Sequence, residues 1–155
     1  MIEYKYWIAL QNAKGIGIAA LRSIHQQISG PGLSLADLFS LTDSELAAEF
    51  SFSESIIDGF RQARSGFEEV EDHYLGLVEA GIQPLVFFEP GYPQPLASLK
   101  NAPAVVYCLG NSRLLRKTAV AVFGDAEPSD RAEMITWQTA RQLAAHDLLL
   151  AGGIA

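Results

Sequence analysis

The sequence predicts an α/β chain: a helical first half followed by an incomplete parallel sheet that contains a βαβ unit. Three observations predict it. Apolar residues recur at helical spacing as far as about residue 80. Beyond that point short, β-rich apolar runs bounded by Pro and Gly replace the helical rhythm. From Thr118 onward the chain reads strand, glycine loop, helix, strand, which is a βαβ unit, right-handed by the general rule.

The helical half follows from spacing and punctuation. Residues Glu3–Gln11 place Tyr4, Trp7, Ile8 and Leu10 at near-helical spacing. A glycine-punctuated turn, Asn12–Gly17, leads to a second helix with Leu21, Ile24 and Ile28 on one face, which Ser29-Gly30-Pro31-Gly32 stops. Thr42-Asp43-Ser44-Glu45 is a capping box, and Leu41 with Leu46 supplies the flanking hydrophobic staple. From Ser53 two interleaved series appear: Ile56, Ala63, Val70, Leu77 and Phe60, Phe67, Tyr74. They predict a long amphipathic helix with a break near Ser65-Gly66 and a C-terminal cap at Gly81. The run is too short and glycine-rich for a coiled coil, so its apolar face is expected to pack within the chain.

In the second half Gln83–Phe88, Ala104–Leu109, Thr118–Phe123 and Leu148–Leu150 read as strands. A turn-dense linker, Glu89–Pro95, separates the first two, and a helix from about Asp130 to His146 separates the last two. Strands so uniformly apolar suggest a parallel sheet covered on both faces. The last of them has no following helix to cover it, so the chain is expected to be a fragment, or to be completed by another subunit.

Composition removes several classes of function. The chain has 155 residues, 49% of them apolar, and no uninterrupted apolar run of about 18 residues, which excludes disorder and a helical membrane span. A single cysteine, Cys108, cannot form an internal disulfide, and no Cys/His cluster has zinc-site spacing. The opening MIEYKYWIAL has no signal-peptide pattern, so a cytoplasmic location is expected. The net charge of −7 is uneven: residues 1–75 hold five Lys/Arg against eleven Asp/Glu, and residues 76–155 six against seven. A surface for polyanions is therefore expected in the second half or as a local patch.

Two places have the residues to hold a phosphate. The turn Lys14-Gly15-Ile16-Gly17 before a helix has the form of a helix-hairpin-helix turn, whose glycines admit close approach and whose amides face the ligand, with Lys14 and Arg22 adding charge. The loop Gly124–Asp130 lies outside the carboxyl end of a strand and at a helix N-terminus, where βαβ units bind ligands. Ser129 either caps that helix or donates to a phosphate, and Arg131 in the first turn is placed to pair with one. Asp125, Glu127 and Asp130 crowd the same turn and would repel an anion. They fit equally a plain βα connection that complements the helix dipole. Gly152 and Gly153 follow the next strand and should sit beside the Gly124 loop, making a shallow crevice with exposed amides.

Arg113, Arg116 and Lys117, with Lys100 nearby in sequence, form the basic cluster, expected at the opposite, amino end of the third strand. Catalysis finds no support: His25, His73 and His146 lie on separate predicted helices, and no nucleophile, base or paired-carboxylate spacing appears. No cofactor and no metal are expected. Cys108 reads as an inert core thiol, and Trp7 and Trp137 as core anchors, an exposed Trp137 being able to stack on a base.

The order of motifs resembles the DNA-processing protein family called DprA or Smf, over essentially the whole length. It is carried by Tyr6–Ile24, by Ala80-Gly81-Ile82 before a strand, and by Tyr92-Pro93-Gln94-Pro95-Leu96. Ala102–Asn111, with its Pro-x-x-x-Tyr-x-x-Gly pattern, Val120–Gly124 and Leu148–Gly153 complete the set. The resemblance implies a SAM-like helical domain, residues 1–78, joined to the N-terminal part of an extended Rossmann-like domain, residues 79–155. It implies a non-catalytic protein that binds single-stranded DNA and loads a RecA-type recombinase onto it in natural transformation. A homodimer is implied only if the remaining part of the Rossmann-like domain is present. In the family the strand-end glycine is followed by Ser-Arg, whose arginine contacts phosphate; here Asp125 and Ala126 stand there, Ala132 replaces a glycine and Ala151 a serine. The pattern would continue with a Gly-Ile-Asp segment and a histidine, so a truncated or weakened form is expected.

The resulting assignment is a DNA-backbone site at Gly124, Ser129, Arg131, Gly152 and Gly153, with a weaker second one at Lys14, Gly15 and Gly17. Two alternatives stand beside it. One is a non-catalytic protein-interaction module. The other is a Rossmann-type nucleotide-binding protein of the lysine-decarboxylase-like group, whose Pro-Gly-Gly-x-Gly-Thr segment this chain does not contain.

Overall fold

The computed structural model describes residues 3–146 and 148–153. By internal contacts the chain forms two compact units that divide between Asn111 and Ser112.

The first unit is built around one buried helix. In α1 (Tyr4–Asn12) the consecutive residues Trp7, Ile8, Ala9 and Leu10 are all buried. A helix apolar on every side must be wrapped, and α1 touches α2 (Ile18–Ser29), α3 (Leu35–Ser40), α5 (Glu54–Ser65), α6 (Phe67–Glu79), β1 (Ile82–Val86) and β2 (Val105–Leu109). The stripe Leu21, Ile24, Ile28 is the buried face of α2, as its spacing predicts. Helix α4 (Asp43–Phe50) starts at the expected capping box, Thr42 Oγ1 accepting from the Glu45 amide and Glu45 from the Thr42 amide. A second box, Ser34 with Asp37, opens α3. The long helix breaks where the sequence suggests, at Gly66, which closes α5 and opens α6. Gly81, at φ +71°, supplies the left-handed turn between α6 and β1.

β1 and β2 pair antiparallel, Ile82 opposite Leu109 and Val86 opposite Val105. The expectation of one parallel sheet is corrected here. The connection from Phe87 to Ala104 contains only the four-residue α7 (Gln94–Ala97) and turns back on itself, so no crossover helix exists to make the pair parallel. Nor is β2 covered on both faces: Val105 is buried, whereas Tyr107 and Leu109 are exposed and Cys108, expected in the core, is half-buried. Val86, Ala104 and Val105 join the same core as α1, α2 and α5. The contact boundary therefore falls beyond this strand pair, some thirty residues after the position 78/79 at which the resemblance divides the chain.

The second unit is the βαβ unit. β3 (Ala119–Ala121) and β4 (Leu149–Ala151) pair parallel, Ala119 opposite Leu149 and Ala121 opposite Ala151, with α8 (Asp130–Ala145) between them in sequence. None of this unit's described residues is buried. Trp137, expected as a core anchor, is 63% exposed, with the Arg141 guanidinium 5.5 Å from its ring centre. On the face of α8 that Ala132, Ile135, Thr139 and Leu143 share by spacing, Ile135 is half exposed. The chain is thus α/β, with short strands in two small sheets. No described helix is long and apolar enough to cross a membrane.

Candidate nucleic-acid interface

In the parallel pair both strands end at one edge. The Val122 amide donates to the Ala151 carbonyl at 2.9 Å, which carries the pairing one step past β3. Gly124 and Gly152 therefore follow neighbouring strand ends, as the sequence reading requires. Gly124, Gly152 and Gly153 are exposed. A methyl group at Gly124 or Gly153 would meet no atom within 4 Å, and at Gly152 it would stand 3.7 Å from the Val122 carbonyl. None of the three has a positive φ. The fold itself thus sets no requirement for glycine at these positions.

Ser129 is the N-cap of α8, its Oγ accepting from the Ala132 amide at 3.3 Å. Of the two roles open to it, the cap is the one occupied. Arg131 is exposed and makes no ion pair among the described residues. Asp130 and Glu133 share its turn and favour the positive end of the helix dipole. The 3₁₀ turn Ser112–Arg116, with Arg113 and Arg116, immediately precedes β3 and so lies toward the other edge of the pair. Lys100 belongs to the first compact unit.

The second candidate turn lies in the first unit. Gly15 sits at φ +87°, where a side chain would be strained, and Gly17 is the N-cap of α2. The Lys14 amide donates to Gln62 Oε1 at 3.0 Å, while the Lys14 side chain is exposed. Arg22, expected to add charge there, donates from Nη2 to the Ala97 carbonyl at 2.8 Å, tying α2 to α7.

The Tyr-Pro-x-x-Leu and Pro-x-x-x-Tyr-x-x-Gly elements form one clasp. Tyr92 is fully buried and its hydroxyl donates to the Pro103 carbonyl at 2.5 Å. Burial raises the Tyr92 pKa, against the opposing charge of Arg22, which keeps the donor proton in place. Pro93 caps α7, and Gln11 Oε1 from α1 accepts the Val105 amide at 2.6 Å. Glu89 takes the Val86 amide at 2.6 Å and the Tyr4 hydroxyl at 2.9 Å. Tyr4 is pushed up to about 12, by burial first and then by Glu89. Replacing Tyr92 by Phe should cost about 1 kcal/mol, one net hydrogen bond. Urea unfolding measures it, and an unchanged midpoint would show that water takes over the Pro103 carbonyl.

Residues 83–155 match the family model described as DNA recombination-mediator protein A. That segment is similar to the DprA family. It contains β1 from Gln83 onward, the Tyr92–Pro103 clasp, β2 and both strand ends of the parallel pair. The family so described is one of DNA processing in recombination. Residues 1–82, with all six helices that precede β1, lie outside it. No curated protein matches the chain, and no solved structure does.

Proposed function

We propose that the chain is a non-catalytic DprA-family protein that binds the backbone of single-stranded DNA and assists the loading of a RecA-type recombinase. The observation that carries most weight is the edge of the parallel pair. Two glycine-bearing strand ends lie together there, within the matched segment, and are open without any conformational need for glycine. Backbone amides at Gly124, Gly152 and Gly153 are the donors, with Arg131 the charged partner. Ser129 holds the α8 N-terminus beside them. Further along α8, exposed Trp137 with Arg141 over its ring offers a base a stacking surface. The Lys14–Gly17 turn, with its free lysine side chain, is the weaker second contact. Asp125 and Ala126, where the family has Ser-Arg, make the primary site weak and dependent on low salt.

Fluorescence anisotropy of a labelled single strand at two salt concentrations tests this reading. Binding should fall as salt rises, and Arg131→Ala should flatten the log–log salt slope by about 1, one phosphate contact. Gly124→Asp should weaken binding further by filling the crevice with charge. No binding at low salt would end the proposal and point to a protein-interaction role.

A further inference from the structure

In the first unit the apolar surface does not end where the core ends. On the β1–β2 pair Ile82, Pro84 and Val86 stand opposite Leu109, Tyr107 and Val105 and so share one face. Val86 and Val105 are in the core, whereas Tyr107 is exposed and Leu109 is 73% exposed. The open end of this face meets α6. There the Gly81 amide donates to the Val78 carbonyl at 3.0 Å, and Ile82, the cross-strand partner of Leu109, follows directly. Val78 and Leu75, one turn apart on α6, are each more than half exposed. Phe67, Val70 and Tyr74 pack that helix on the core, which takes α6 without Leu75 and Val78. Exposed apolar side chains grouped inside a polar rim mark interaction sites.

The rim here is of one sign. Between Arg64 and Lys100 the chain holds six acidic residues and no Lys or Arg. Glu68, Asp72 and Glu79 fall with Leu75 at helical spacing on one side of α6, are exposed, and make no ion pair among the described residues. Glu71, nearer the core, is taken by Lys5. The arrangement is unfavourable for the helix itself. Glu68 and Asp72 are like charges one turn apart, and Glu79 stands in the last turn, at the negative end of the dipole, where no basic residue offsets it. A cation docked beside them relieves both conflicts.

The same charge selects the occupant. Nucleic acid and the anionic surface of a membrane are repelled. A second copy docked face to face would set the same acids against each other, because the two halves of such a contact are one patch. A basic amphipathic helix answers both parts of the surface, with apolar side chains for Leu75, Val78 and Leu109 and flanking Lys or Arg for the carboxylates. We propose that the end of α6 and the open end of the β1–β2 face form a docking surface for a basic amphipathic segment of a partner protein. This surface shares no residue with the DNA site and its ligand has the opposite charge, so the two readings stand or fall separately.

The experiment follows the anisotropy of a labelled Leu/Lys peptide of about 18 residues, its leucines on one helical face, titrated with the full chain. Saturable binding that weakens with salt is expected. A scrambled peptide of the same composition, and one with Glu in place of Lys, should bind at least about tenfold more weakly. Leu75→Gln with Val78→Gln should lose about tenfold or more. Glu68→Gln, Asp72→Asn and Glu79→Gln together should lose as much, their fold checked by a urea midpoint that is not lowered, since they remove repulsion. Absence of saturable binding overturns the surface. So does a scrambled peptide that binds as well, or binding that survives both sets of substitutions. Self-association in sedimentation that Leu75→Gln with Val78→Gln abolishes would put a second copy on this face and overturn the basic partner.

Discussion

Phe60→Ala is expected to lower the free energy of unfolding by about 3–5 kcal/mol, the range for emptying a filled aromatic site in a core. Phe60 is completely buried on α5. Its ring packs edge-on against Phe39 at 5.4 Å, parallel to Phe52 at 6.0 Å, and lies 5.7 Å from the Arg64 guanidinium. Those partners come from α3, from the segment between α4 and α5, and from α5 itself, so no single small shift can refill the space. Urea unfolding followed by far-UV circular dichroism gives the number. A loss below about 1.5 kcal/mol would mean that the surrounding rings collapse into the cavity.

Arg64→Met is the second large effect, about 2–3 kcal/mol, because the side chain closes a helix end. Its Nε donates to the Phe39 carbonyl at 3.1 Å and its Nη2 to the carbonyls of Leu38 at 3.3 Å and Leu41 at 2.6 Å. These are the last carbonyls of α3, a six-residue helix too short to hold itself. Methionine keeps the apolar stem and removes only the donors. Arg64 also reaches Asp43 at 2.9 Å, and Asp43 is shared with Arg61. That carboxylate is held below its usual pKa, chiefly by Arg61 and then by Arg64. A lowered pKa in the folded state gives stability that is present in full above the ordinary carboxylate range and is lost as pH falls from there through the lowered, folded-state value. The gap between wild type and Arg64→Met should therefore narrow on acidification and then level off, since the carbonyl contacts do not titrate. A gap that closed completely in acid would reduce Arg64 to an exposed ion pair, worth little in stability.

What the sequence made legible was local. The α2 stripe, the Thr42 capping box and the interruption at Gly66 each depend on residues within a few positions of one another, the βαβ order is a succession of such local signals, and the structure contains each of them. The neighbouring strand ends at Gly124 and Gly152 could be placed because parallel pairing of a βαβ unit fixes which edge they share. The direction of β1 against β2 was not legible, since an apolar run has no sign for it and the short α7 gives no crossover signal. Nor was the fate of Arg22, whose partner lies 75 residues away. Trp137 misled because aromatic residues usually mark cores, and α8 leaves this one exposed. The end of α6 brings Leu75 and Val78 to the strand end at Leu109, a set that no period or motif joins.

The border of the family match and the border between the folded units do not coincide in this chain. The DprA match begins at residue 83, yet the strand pair just inside it is held by donors and acceptors from outside: Gln11 to Val105, Tyr4 to Glu89, Arg22 to Ala97. Cut at the family border, residues 83–111 would lose all three partners and bare Val86, Ala104 and Val105 to water. The recognisable segment is therefore not a transplantable module. Its first strands borrow their interior from helices outside the matched segment, and any grafting or swapping of that segment would have to move α1 and α2 along with it.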